Sequence, residues 1–372
     1  MKIAIQAADL DNKRIDGTRV YLLNVLKYLG KISSEDEFVI YHKNNFNPEL
    51  TPPNFPNYQV RKLKFFKLWT QTRFAYDIWK DGVDTLWMPM HNIPLVRKRN
   101  LKTVVTIHDL AFKHFPKTFP KRDLFQLNLL TDLAVNGADK IIAVSQSTKN
   151  DILKFYPKIK EEKIGVIYHG FDGDLYRREF YTEFVEEVLK KNNLKPKKYI
   201  LYVGAIQPRK NLKTLVKAFE IFKKENKNNI KLVIAGGKAW CWEETISAIE
   251  NSPVRGSIIL TGRIPFEDLA VLQQNASAFV FPSLYEGFGI PVLEAFAAGT
   301  PVILARNSSL EEVGGEAAQY FESLDAQELS QKINKVIGDA NLQAEMITKG
   351  QAQVDKFSWE KCARETLGFI KS

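Results

Sequence analysis

Two successive series of short apolar runs, each followed by an amphipathic stretch, constrain this chain to an α/β fold with parallel sheets. The first series is Lys2-Ile-Ala-Ile-Gln6, Phe38-Val-Ile-Tyr41, Thr85-Leu-Trp-Met88, Thr103-Val-Val-Thr-Ile107 and Lys140-Ile-Ile-Ala-Val144, with a helix-like stretch from Gly17 to Leu29 after its first member. The second is Ile200-Leu-Tyr-Val203, Lys231-Leu-Val-Ile-Ala235, Ser257-Ile-Ile-Leu260, Ala278-Phe-Val-Phe281 and Pro301-Val-Ile-Leu304. Runs that are apolar throughout, rather than alternating, belong to strands buried on both faces, and strands separated by helical stretches form doubly wound parallel sheets. A polar, lysine-rich interval from about Asp172 to Lys198 separates the series. A length of 372 residues also exceeds one core's usual size. The expectation is two similar doubly wound domains, residues 1–175 and 176–356, with residues 357–372 after them.

The chemistry concentrates at Glu286-Gly-Phe-Gly-Ile-Pro-Val-Leu-Glu294, which continues as Ala-Phe-Ala-Ala-Gly299-Thr-Pro. Gly287 and Gly289 permit a tight turn, Pro291 suits a first helical position, and Gly299 suits a C-cap. A helix therefore opens between two glutamates, directly after the strand-like Ala278–Phe281. Free amides at a helix start attract oxyanions, and carboxylates accept hydrogen bonds from sugar hydroxyls. An anion beside a polyol describes a nucleotide-sugar. Ligands in such sheets bind beyond the carboxyl ends of the strands, where Glu286 would lie. The plain alternative is two solvated charges on an exposed helix.

This wording resembles the retaining glycosyltransferases of family 4, marked by a glutamate, seven residues and a second glutamate, here Glu286 and Glu294. The resemblance extends to Tyr199-Ile-Leu-Tyr-Val-Gly-Ala-Ile-Gln-Pro-Arg-Lys-Asn211, Leu232-Val-Ile-Ala-Gly-Gly237, Thr261-Gly-Arg-Ile-Pro265, Asn307-Ser-Ser-Leu-Glu-Glu-Val-Gly314 and Val166-Ile-Tyr-His-Gly-Phe-Asp172. It implies the GT-B fold, with an acceptor-binding first domain, a nucleotide-sugar-binding second domain and a final helix that packs back on the first. It also implies transfer of a sugar from a nucleotide diphosphate to an acceptor hydroxyl, with retention of configuration and without a metal or other cofactor. The donor sugar favoured by likeness is mannose.

Read onto this chain, the resemblance gives Glu294 the ribose hydroxyls, Glu286 the donor sugar and Lys210 the leaving diphosphate. Arg209 and Lys210 stand at a strand-to-helix turn, and their fork and point charge suit phosphate oxygens. Relatives often carry an arginine directly after the glycine matching Gly204; this chain has Ala205, and Arg209 is the candidate substitute. The amides near Phe288, Gly289 and Ile290 complete the donor site, with Gly204, Arg263 and Ile264 on neighbouring loops. His108, at a strand's end beside Asp109, matches a family position that reaches the donor sugar. Gly17 stands where relatives show a glycine pair. Ser145-Gln-Ser-Thr-Lys149 reads equally as a phosphate turn or as a helix start capped by Ser145 or Ser147.

The remaining residues mainly exclude. Cys241 and Cys362 lie outside any CxxC or His-rich pattern, which argues against disulfides and zinc. Asp9-Leu-Asp11 and Asp172-Gly-Asp174 read as turns rather than metal ligands. The amino end runs into a strand rather than a signal peptide, and no long apolar window appears, so a cytoplasmic protein is expected. Of the net charge of +10, residues 1–180 own +9. Residues 61–80 interleave cations with Phe65, Phe66, Trp69, Phe74 and Trp79, which suits an anionic membrane surface at its inner face; the alternative is a core helix with solvated lysines. Arg97-Lys-Arg99 is a second contact of that kind or a solvated turn. No nucleic-acid-binding motif accompanies the basic charge. The expected partners are a nucleotide-sugar and a glycan or lipid-linked acceptor. Two rivals remain: a non-catalytic sugar-nucleotide or polysaccharide binder of the same fold, and a GT-B-like sugar epimerase.

Overall fold

The computed structural model describes residues 1–64, 67–226 and 228–372. Phe65 and Phe66, part of the basic-aromatic segment singled out above, lie outside the described residues. The chain divides into two compact units: Met1–His114 with Lys121–Gly170 and Phe357–Ser372, and Phe115–Pro120 with Phe171–Lys356. Each is built on one parallel sheet.

The first unit contains β1 (Lys2–Gln6), β2 (Glu37–His42), β3 (Tyr58–Lys62), β4 (Thr85–Met88), β5 (Lys102–Ile107), β6 (Lys140–Ala143) and β7 (Ile164–Val166). They lie side by side in the order β3-β2-β1-β4-β5-β6-β7, every pair parallel. The central strands carry the apolar runs and are buried beyond their first residues. Helix Gly17–Ile32 starts on Asp16, whose carboxylate accepts from the Arg19 amide, and buries Tyr21, Leu22, Val25, Leu26 and Leu29. The closing helix Trp359–Lys371 packs on that helix within the same unit. Gly170 permits the approach, since a Cβ there would lie 2.1 Å from the Trp359 nitrogen.

The second unit contains β8 (Tyr199–Val203), β9 (Lys231–Ala235), β10 (Ile258–Gly262), β11 (Ala278–Phe281), β12 (Val302–Ala305) and β13 (Ala318–Phe321). Their order is β10-β9-β8-β11-β12-β13, again all parallel. The strand order reverses between β8 and β11. Loops leaving these two strands are neighbours, and this is where α/β sheets hold ligands. Residues 115–120 come from the first half of the sequence yet belong to this unit: Phe115 meets Tyr285 edge-on at 6.5 Å, and Thr118 accepts the Trp240 indole N–H at 2.8 Å.

The membrane-facing reading of residues 61–80 is corrected for two of its aromatics. Trp69 and Phe74 are buried and stacked on each other at 5.0 Å, and the Trp69 indole donates to Leu63 O at 2.7 Å. Trp79 does face outward. Arg97 is a structural clamp, donating at 2.9 Å to Pro94 O and also to Gly137 O.

Candidate functional site

The loops after β8 and β11 are locked together by backbone and amide groups. The Leu284 amide donates to Arg209 O at 2.9 Å. Asn211 takes the left-handed conformation, φ +55°, and its side-chain amide donates to Pro282 O at 3.0 Å and to Ser323 O at 2.5 Å. Asparagine tolerates that backbone better than most residues, so one residue both turns the chain into helix Leu212–Glu225 and ties three loops.

These ties bring Arg209, Lys210 and Glu286 into one buried cluster. Lys210 Nζ lies 2.5 Å from Glu286 Oε1, Arg209 Nη1 lies 3.2 Å from Oε2, and Arg209 also donates to Tyr285 O. Burial opposes the charge on Glu286, but Lys210 and Arg209 overcome it and bring its pKa down to about 2. The three side chains carry one more positive than negative charge. Two cations set around one carboxylate suit the oxygens of an anionic ligand.

The carboxylate is also positioned from behind by the turn after β12. The Glu286 amide donates to Ser308 Oγ at 3.0 Å; Ser309 Oγ lies 2.9 Å from Glu286 O and 2.7 Å from Phe288 O. Asn307 donates to Ser283 O at 2.8 Å and to Ser323 Oγ at 2.7 Å. Asn307, Ser308 and Ser309 were not among the expected site residues. Their signal was present: they open the segment Asn307–Gly314 quoted for the resemblance, one residue beyond the apolar run of β12.

Gly289 precedes helix Ile290–Ala297 at φ +115°, which an L side chain resists, and an added Cβ would lie 3.2 Å from Leu310. Phe288 is buried, so its side chain serves the core. Gly204 has its carbonyl against Gly236, where a Cβ would come within 2.0 Å; the two loops touch backbone to backbone. Arg263 and Ile264 follow β10, the edge strand two places from β8.

Glu294 has a different neighbourhood from its motif partner. It is half-buried on helix Ile290–Ala297 near Tyr176 and Asp172. Desolvation pushes its pKa up to about 8, helped by Asp172 and opposed by the Tyr176 hydroxyl. Asp172 itself caps the turn Gly173–Tyr176 by accepting from the Leu175 amide. In the first unit, Asp11 accepts from the amides of Lys43 and Asn44 and meets His42 Nδ1 at 3.0 Å, so both Asp pairs noted in the sequence have turn-holding members. Ser145 is the N-cap of helix Gln146–Phe155, its Oγ 3.0 Å from the Thr148 amide.

His108 and Gly17 belong to the first unit. Gly17 opens its helix, is exposed, and has open space where a Cβ would stand. His108 is buried, with Nε2 2.8 Å from Pro89 O. A carbonyl only accepts, so Nε2 carries the hydrogen and Nδ1 is the acceptor; Nδ1 is buried without a hydrogen-bond partner. The His108 amide donates at 2.7 Å to His91 Nε2, which fixes that tautomer too, with Nδ1–H facing Thr131 Oγ1 at 3.3 Å. Desolvation first and His108 second bring the His91 pKa down to about 4; burial likewise lowers His108, and lowers His169 further.

A pair of doubly wound parallel sheets, one with a cationic cluster around a carboxylate at its switch point, defines the GT-B class of glycosyltransferases. The fold is shared over 100% of both chains by HepE of Anabaena, solved with UDP and glucose, at a TM-score of 0.76 and 16% identity. The family described as glycosyl transferases group 1 matches residues 184–353, and that described as glycosyltransferase family 4 matches residues 16–175. The two matches together span most of the chain, which belongs to the family 4 glycosyltransferases. The O-antigen chain mannosyltransferase B of Escherichia coli is 29% identical over 270 residues, 73% of this chain and 70% of that protein. The serotype-specific mannosyltransferase WbdA of Escherichia coli is 30% identical over 293 residues, 77% of this chain but only 35% of its own length. Among the described residues no helix is long and apolar enough to cross a membrane, and no three His, Cys, Asp or Glu side chains form a group that could hold a metal ion.

Proposed function

We propose that this glycosyltransferase moves a hexose, mannose as the first candidate, from a nucleotide-diphosphate donor to a hydroxyl of a growing surface polysaccharide, with retention and without a metal. The observation that carries the reading is the Arg209–Lys210–Glu286 cluster at the β8/β11 switch point. Its two cations are placed to take the charge that grows on a departing diphosphate, which in a dry site stabilises a transition state by several kcal/mol. Glu286 serves both to hold the cations in place and to accept a hydroxyl of the donor sugar. Glu294 takes the ribose hydroxyls. The mannosyl donor and polysaccharide acceptor rest on the names of the two Escherichia coli relatives.

With no second carboxylate assigned as a nucleophile, the acceptor oxygen attacks from the face the diphosphate leaves. The new C–O bond forms as the old one breaks, and the acceptor's proton passes to the leaving phosphate oxygen. The deciding experiment offers GDP-mannose, then UDP-, ADP- and TDP-sugars, with an oligomannose acceptor and excess chelator. Product of unchanged anomeric configuration by NMR supports the reading. Inverted product, or activity restored only by a divalent ion, overturns the corresponding part. Donor binding without transfer or hydrolysis favours the binding-protein rival.

A further inference from the structure

The outer surface of the first unit carries an apolar stripe whose construction the transferase reading does not use. Tyr76 and Trp79, three residues apart on the helical turn Ala75–Asp81, are 64% and 49% exposed, and Leu68, just ahead of the turn Thr70–Phe74, is 75% exposed. Leu68 has φ +44°, a left-handed conformation that a leucine adopts only at a cost. Beside it, Leu95 and Val96 are 55% and 67% exposed. Gln71 fastens the two pieces together, its Nε2 donating to Ile93 O and its Oε1 accepting from the Leu95 amide, both at 2.8 Å. The ledge is held, and its apolar side chains are held outward.

The charge around it is sorted by sign. Asp77 is buried and bridges Arg73 at 2.6 Å; Asp81 turns inward to Arg61 and the Tyr41 hydroxyl, each at 2.6 Å. Lys64, Lys67, Lys80 and Arg99 face outward. Lysine is depleted from protein–protein interfaces, whereas lysines beside Trp and Tyr match the headgroup layer of a bilayer, where an aromatic body sits in lipid and its polar edge in water.

We infer that the ledge formed by Leu68, Tyr76, Trp79, Leu95 and Val96, with its rim of lysines, docks on an anionic lipid surface. The apolar side chains enter the headgroup boundary, and the lysines gain from anionic lipid in a salt-dependent way. The inference stands on the first unit's surface and does not depend on which sugar is transferred.

The test is flotation of the full-length protein with phosphatidylcholine vesicles, and with vesicles containing about 30 mol % phosphatidylglycerol, at about 0.1 M salt. The protein is expected to float with the anionic vesicles at least roughly tenfold better than with neutral ones. The triple variant Leu68→Ser, Leu95→Ser, Val96→Ser should lose roughly tenfold in partitioning while its melting temperature and its turnover of a water-soluble acceptor stay unchanged. The pair Lys67→Glu, Lys80→Glu should abolish the preference for anionic lipid. No flotation, equal flotation with neutral vesicles, or unchanged flotation of either variant overturns the inference. So does a dimer of the unsubstituted protein that the triple variant dissociates, since the ledge would then be a contact between copies.

Discussion

The carboxyl ends of the two sheets enclose titratable groups by opposite means. Beyond β8 and β11, burial is answered with charge: Arg209 and Lys210 hold Glu286 ionised at a pKa of about 2. Beyond β4, β5 and β7, burial is answered with neutrality: His91, His108 and His169 share a core with Tyr21, which stacks on His169 at 4.7 Å and meets His108 edge-on at 5.0 Å, and all three histidines are driven below their ordinary pKa. A neutral enclosure can wait indefinitely for a polar ligand. A charged one is poised for an ionic ligand, and it punishes any change that unbalances it.

The largest effect should therefore come from unbalancing the charged crevice. Lys210→Met leaves Glu286 buried with one partner fewer, and removal of one member of such a pair costs on the order of 3–5 kcal/mol of stability. Transfer should fall by a factor on the order of a thousand, as when a transition-state donor is lost. The double variant Lys210→Met, Glu286→Gln separates the two losses: calorimetry should show much of the stability restored, while turnover stays absent. If turnover returns with stability, Lys210 is only structural and the crevice has no role in transfer.

Within that unit the comparison repeats between the motif's two glutamates. Glu294 has a pKa raised to about 8, against about 4.3 expected in the unfolded chain. The native state thus holds a proton that the unfolded state has lost between those values, so stability falls as pH rises from about 4.3 to about 8. Glu294→Gln should remove this slope, gaining about 2 kcal/mol over the unsubstituted protein by pH 8; the half-buried setting keeps it below the full shift. If ribose hydroxyls donate to Glu294 when the donor binds, they favour its charged form. Titration calorimetry at pH 7 in buffers of different ionisation enthalpy should then show a proton released on binding. No buffer dependence would separate Glu294 from the ribose.

The neutral crevice gives the opposite sign. His91 is lowered to about 4 from about 6.5, so the unfolded chain binds protons that the native state refuses between those values. Stability is complete above about 6.5 and declines as pH falls toward about 4. His91→Gln keeps an acceptor for the His108 amide and should flatten about 1–2 kcal/mol of that decline in melting curves between pH 7 and 4.5. An unchanged slope would assign the acid sensitivity to the other two histidines.

What the sequence disclosed follows the same physics. The central strands of both sheets are buried on both faces, so their apolar runs are continuous and legible; the edge strands β3 and β13 carry Gln59 and Arg61, and Gln319, and the three-residue β7 is too short to show a pattern. Arg209, Lys210, Glu286 and Glu294 could be named because they lie within motif segments. Their contrasting environments could not, because Tyr176 and Asp172 meet Glu294 only through folding. Nor could the attachment of residues 115–120 to the second unit, which rests on contacts between Phe115 and Tyr285 and between Trp240 and Thr118. In the basic-aromatic segment, composition alone could not separate Trp69, which finds a carbonyl for its indole inside, from Trp79, which does not turn inward.

The smallest predicted effect bears on how the charged crevice is held. A hydroxyl has one hydrogen, so Ser309 can donate to Glu286 O or to Phe288 O but not fully to both, at 2.9 and 2.7 Å. Ser309→Ala leaves the carbonyls of two buried residues sharing one lost donor, at a stability cost of about 1–2 kcal/mol. The Glu286 side chain keeps Lys210 and Arg209, so its charge survives and only its placement loosens. The expected kinetic signature is a fall of about tenfold in kcat with little change in KM, because a misplaced carboxylate harms the transition state more than donor binding. Ser309→Thr, which restores the hydroxyl at the price of a methyl group, should recover part of the rate. If Ser309→Ala instead raised KM alone, the turn after β12 would belong to donor affinity, and the crevice would be preorganised by the Asn211 ties without it.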